Sequence, residues 1–193
     1  SEMCIRDRVS IEAFPPDAVD LTTELLRLKA KGAEYIFMQI LPDKVYVALK
    51  SADKINYDVP FIGTWTSTDP DFFKLGKGLI RNRVAMQFCG VLPGDKAWGM
   101  ELLETLQKRY KTVDFFETSY WEGVVVAMVM ERAMHRASGL YGKINAETID
   151  KAMETFNNED FGGLVPKITY TKHSHEASFV GRIVQVHENM TYT

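Results

Sequence analysis

The sequence predicts an α/β fold built on a parallel sheet, and three observations predict it. Short β-branched or aromatic runs alternate with segments of helical periodicity between Val9 and Cys89. The connections between those runs are too long for hairpins, so the strands lie parallel and are joined by right-handed crossovers. Finally, the run Val59–Ile62 leads through Gly63 and a polar loop to Asp69 and Pro70, an N-cap residue followed by proline at the first helical position.

In order, VSIEAF (Val9–Phe14) alternates like a strand until Pro15 and Pro16 stop it. Asp20 then opens a helix with Leu21, Leu25 and Leu28 on one face, ended by Lys31 and Gly32. EYIFMQI (Glu34–Ile40) is a second strand, and Pro42 starts a second helix whose apolar stripe is Val45, Ala48 and Leu49. Asn56 to Asp58 break it. The third unit is Val59–Ile62 with a helix from Pro70 toward Leu75, and Arg83–Cys89 is the fourth strand. The unit recurs at roughly 25 residues, but no signature recurs with it, so a solenoid is rejected.

After GVLPGD the pattern turns helical. Trp98–Tyr110 carries Met100, Leu103 and Leu106 inward, and Ser119–Ala137 is apolar almost all round, the pattern of a buried helix. Asn145 caps another helix with Ile149, Met153 and Phe156 on one side. VPKITYT, SFVGRIVQV and NMTYT then read as strands. A chain that changes period in this way leaves one lobe, builds part of another and returns, with Gly90–Asp95 and Gly162–Pro166 as the crossings. Residues 1–8, SEMCIRDR, lack any periodicity and are read as non-native or disordered.

Composition narrows the function. The 193 residues are 46% apolar with a formal charge of −3, enough for a substantial core and without the basic footprint of a nucleic-acid binder. No apolar run is long enough to span a bilayer. The cysteines, Cys4 and Cys89, are too far apart in sequence for a thiol metal cage or a CxxC redox pair. GxSxG, P-loop and GxGxxG patterns are absent, which argues against the common hydrolases and nucleotide enzymes, and the chain is read as non-enzymatic, with no catalytic residue and no cofactor. His173, His175 and Glu176 lack a set-spaced third ligand and read as a solvated turn. Asp69 and Asp71 read as helix-start carboxylates favoured by the macrodipole.

Ligands of open α/β sheets bind beyond the carboxyl ends of the strands, which places Thr64, Trp65 and Thr66 as candidate contacts. Ser119, Tyr120, Trp121 and Glu122 start the long apolar helix, and serve either as caps and core or as one wall of a pocket.

From Val9 onward the chain resembles the later part of a type I periplasmic solute-binding protein of the branched-chain amino-acid (leucine/isoleucine/valine-binding) group, the receptor subunit of ABC importers. The resemblance rests on FPPDAVDLTTELLRLKAKGAEYIF, PFIGTW with DPDF after it, LETLQKRY, YWEGVVVAMVMERAMHRA and RIVQV, in the family's order. It implies two Rossmann-like α/β lobes closing on a ligand, with an incomplete first lobe: residues 9–89 in the second lobe, 90–164 in the later first lobe, and 165–193 as strands returning mainly to the second. It also implies a small-molecule ligand, an inner-membrane ABC permease as partner, no nucleic acid, no direct membrane insertion, and a periplasmic or lipid-anchored extracytoplasmic location. In amino-acid binders of this group a carboxylate shortly after the strand glycine takes the ligand ammonium; here that position is Trp65. Where the family often has an aromatic after the preceding strand, this chain has Ile40, preceded by Gln39. A site of Trp65, Ile40 and Tyr120, with Thr64, Thr66 and Gln39 for hydrogen bonds, suits an amino-acid-like ligand or an aromatic or aliphatic acid or amide. The same fold also serves as the sensing domain of receptors and amide-responsive regulators.

Overall fold

Parallel strands need long crossovers, and the chain supplies them. The computed structural model describes residues 8–67, 76, 78–92, 94–110, 118–178, 180–189, 191 and 193, without the side chains of 118 and 119. The expected helix from Pro70 toward Leu75, with Asp69 and Asp71, therefore lies outside the described residues, as do Thr68, Cys4 and residues 1–7 of the leading segment.

The chain divides into two compact units, one made of residues 1–88 and 182–193, the other of Cys89–Gly181. In the first, helix α1 (Thr22–Ala30) precedes strand β1 (Ile36–Met38), helix α2 (Pro42–Lys54), strand β2 (Phe61–Gly63), a 3-10 turn (Trp65–Ser67), strand β3 (Val84–Phe88) and the late strand β4 (Arg182–Val186). The sheet order is β1-β2-β3-β4, with the first three strands parallel and β4 antiparallel against β3.

Register explains the core. Ile36, Phe61, Val84 and Val186 are in one row across the sheet, and all four are buried. The neighbouring row, one residue on, begins at Phe37, which is 62% exposed, so one sheet face is packed and the other is partly open. Pro42 at the first turn and the buried Val45, Ala48 and Leu49 form α2 as the stripe requires. Gly32 and Asn56, at φ +75° and +47°, end α1 and α2 in the left-handed region that glycine and asparagine tolerate.

Three expectations need correction. Residues 9–14 form no strand. Glu12 in this segment instead pairs with Arg27 at 2.7 Å and Lys31 at 3.4 Å, because an alternating pattern becomes a strand only when a neighbour offers a ladder, and none of the described strands pairs with it. The run of closing strands reduces to β4, two isolated bridges, Glu159 with Ile168 and Thr171 with Ser174, and backbone bonds from Gln185 to Thr193. The first bridge, with the Tyr170 amide donating to the Phe156 carbonyl, ties this stretch to the chain around Phe156, and residues up to Gly181 cluster with the second unit.

The third correction concerns the second unit, which holds helices α3 (Trp98–Tyr110), α4 (Thr118–Tyr141) and α5 (Ala146–Met153). Helix α4 is not buried all round. Its core stripe is Trp121, Val125, Val129, Ala133 and Ala137, strictly four apart, while Val126, Met130 and Met134 are exposed. Neighbouring elements cover a helix face only as wide as their own contact, whatever the hydropathy of the rest. Helix α5 is capped as expected: the Thr148 amide donates to the Asn145 side chain at 2.9 Å and the Asn145 amide donates to the Thr148 hydroxyl at 3.0 Å.

Candidate functional site

The site in the first unit grows from the carboxyl ends of two adjacent parallel strands. β1 ends at Met38, and the chain runs through exposed Gln39 and half-buried Ile40 into α2. β2 ends at Gly63, and the Thr64 amide donates to the Met38 carbonyl at 3.1 Å, carrying the ladder one bond past the strand. The chain then folds back into the 3-10 turn, closed by the Ser67 amide donating to the Thr64 carbonyl at 2.9 Å.

Glycine makes that turn possible. A Cβ on Gly63 would come within 2.7 Å of Ser67 Cβ and 3.0 Å of its Oγ, so only a bare α-carbon admits the returning serine. The buried Ser67 hydroxyl donates to the Ile40 carbonyl at 2.9 Å, with the Met38 carbonyl 3.5 Å away. Thr64 and Thr66 have their hydroxyl oxygens 2.9 Å apart, and Thr64 lies 3.4 Å from that of Ser67. Trp65 is 36% exposed at the tip.

Five predicted residues, Gln39, Ile40, Thr64, Trp65 and Thr66, are thus brought together on two loops tied through Ser67. Sequence reasoning missed Ser67. Its run, TWTST, offers several similar hydroxyls, and only the fold-back at Gly63 selects the one that turns inward.

The predicted residues of the second unit stand at the start of α4. Ser119 lies on the helix, its side chain outside the description. The half-buried Tyr120 phenol donates to the Leu103 carbonyl at 3.4 Å. Trp121 is core: its ring covers Gly90 so closely that a Cβ there would meet it at 2.2 Å. Burial raises the half-buried Glu122 carboxyl above the usual carboxylate range. Burial also raises the Cys89 thiol, and the negative charge of Glu122 adds to that.

His173 is exposed in its turn, and His175 stands 3.7 Å from Glu154 and edge-on to Tyr170. No group of three or more His, Cys, Asp or Glu suited to a metal ion occurs among the described residues, and no helix among them is long and apolar enough to cross a membrane. The loop patch of the first unit offers an aromatic face, hydroxyls and backbone groups. Such a surface stacks and hydrogen-bonds.

Comparison with known proteins follows the same line. The family model described as periplasmic binding protein matches residues 8–190. A branched-chain amino acid ABC transporter protein from Thermus thermophilus with bound valine aligns with a TM-score of 0.83 at 21% identity, over 96% of this chain and 50% of that one. A fatty acid ABC transporter substrate-binding protein from Thermomonospora curvata aligns with a TM-score of 0.79 at 17% identity, over 92% of this chain and 46% of that one. A leucine binding protein from Thermotoga maritima gives a TM-score of 0.73 at 14% identity, over 93% of this chain and 49% of that one. No curated protein sequence matches. The chain spans about half the length of these solved structures. At such identities the likeness carries the fold, a type I periplasmic binding protein fold of which this chain holds part. The family match over residues 8–190 goes further, and the chain belongs to the periplasmic binding protein family.

Proposed function

We propose that the protein is a solute receptor serving an ABC importer outside the cytoplasm, and that its ligand is a small amino-acid-like molecule or an aromatic or aliphatic acid or amide. The observation that carries this reading is the loop patch at the carboxyl ends of β1 and β2, where Trp65, Thr64, Thr66, Gln39 and Ile40 converge in a chain of a binding-protein family. Loops at that end of a parallel sheet are where α/β folds hold ligands. The structures it resembles are named for valine, leucine and fatty acid, which spans the same range from polar to apolar.

In this reading residues 9–89 and the returning β4 belong to one lobe and the helical residues from 90 onward to the other. Ser119, Tyr120 and Glu122, at the start of α4, are the ligand contacts proposed for the second unit. Ligand bridges the lobes and stabilises the closed state, whose outer face an inner-membrane permease reads. No covalent step is needed. Micromolar affinity corresponds to roughly −8 kcal/mol, within reach of a buried, mostly apolar ligand with a few hydrogen bonds.

The test is a thermal-shift screen of the full-length protein against branched-chain amino acids, aromatic acids, amides and urea-like solutes. Ligand binding to the native state raises the melting temperature in a concentration-dependent way. The expected result is a shift with one chemical class, lost in Trp65→Ala, since truncating an aromatic anchor that the ligand covers costs about 2 kcal/mol or more. No shift with any class overturns the reading.

A further inference from the structure

The hydroxyls of the 64–67 turn form a chain with a direction. This deepens the reading above and rests on it for the ligand contacts. Ser67 is wholly buried, and a hydroxyl has one proton to give and two lone pairs with which to accept. The Met38 carbonyl already receives the Thr64 amide, whereas the Ile40 carbonyl lies 2.9 Å from Ser67 Oγ, so the serine proton goes to Ile40.

Ser67 can then only accept from Thr64, 3.4 Å away. Thr64, having given its proton to Ser67, can only accept from Thr66 at 2.9 Å. The relay runs Thr66 to Thr64 to Ser67 to the Ile40 carbonyl, and both threonines spend their protons inward. What remains facing outward at Thr66, which is exposed, is lone pairs.

We propose that Ser67 is a positioning residue that polarises this relay, so that the turn beside Trp65 accepts hydrogen bonds and selects a ligand group that donates them, an ammonium or an amide N–H. A carboxylate oxygen, which only accepts, would meet lone pairs there. The Ile40 carbonyl, which carries no net charge, thereby sets the polarity of the exposed end.

The test compares benzamide with benzoate, near-isosteric probes that differ in donating or only accepting, by calorimetry on the full-length protein and on Ser67→Ala. Without the serine acceptor, Thr64 is released to turn its proton toward Thr66, and Thr66 to turn its own outward. The expected result is that the benzamide-to-benzoate affinity ratio falls about fivefold in Ser67→Ala, the worth of one hydrogen bond of reversed sense. Val45→Ala, a core change of the same unit, is expected to leave the ratio unchanged. Equal loss of both ligands, or none, overturns the relay.

Amide hydrogen exchange gives a reading without ligand. Ser67→Ala is expected to speed exchange at the Thr64 amide more than Val45→Ala does, and equal rates overturn the positioning role. Binding of neither probe, nor of any solute in the wider screen, would remove the receptor reading, while faster exchange at the turn would still uphold Ser67 as its tether.

Discussion

Glu159 is the residue whose charge the second unit depends on most visibly. Arg132 reaches it at 3.0 Å and Arg136 at 2.5 Å, while the two guanidinium groups lie over Phe161 and Phe156 at 4.3 and 4.8 Å. Burial pushes the carboxyl up, but hydrogen bonds and charge from Arg136 and then Arg132 outweigh it and hold the group below its ordinary value. A folded value below the unfolded one means that the unfolded chain binds more protons in that window. The stabilisation is therefore present above the unfolded carboxylate range and is lost as pH falls through the folded value. Glu159→Gln should cost about 1–2 kcal/mol at pH 7 and progressively less toward pH 3, read from urea melts at both. An unchanged difference across that range would show that the glutamate acts by shape and not by charge.

At the scale of elements, the clearest dependence is the cap of α5. Asn145 and Thr148 satisfy each other's amides, and the Thr148 hydroxyl also donates to the Lys143 carbonyl at 3.0 Å. With eight residues, this helix is too short to hold itself by propagation, so its start must be fixed. Asn145→Ala should destabilise the protein by about 1 kcal/mol, while Asn145→Ser restores most of that, as denaturant midpoints at constant slope would show. The site turn obeys the same logic by another device: its geometry comes from the missing Cβ of Gly63 and the inward hydroxyl of Ser67.

For the molecule as a whole, the unresolved matter is apolar surface. Val126 is 62% exposed with Met130 and Met134 one and two turns further along α4, and in the sheet unit Phe37 and Ile183 are 62% and 66% exposed. Contiguous apolar patches on a helix face promote association. The 193-residue chain on its own should therefore self-associate with rising concentration in sedimentation velocity. Replacing Val126 and Met130 together by glutamate should shift it toward monomer. A monodisperse, cooperatively melting chain at all concentrations would contradict this.

The amino-acid sequence by itself determined the α/β class, the helices begun by Pro42, Trp98 and Asn145, and the family, because period, caps and glycines are written locally. It also pointed to the loop after Gly63, since strand–glycine–loop order names the ligand end of a parallel sheet without any contact being known. Tertiary structure alone decided the rest. Whether Val9–Phe14 becomes a strand depends on a partner elsewhere in space, not on its own alternation. Which face of the largely apolar α4 is buried depends on what packs there, so Val125 is core and Val126 is surface although the two are the same residue type. Ser67 was silent among like neighbours until a fold-back over a bare α-carbon brought its hydroxyl to the Ile40 carbonyl, because a hydrogen bond between residues 27 apart is a fact of geometry and not of pattern.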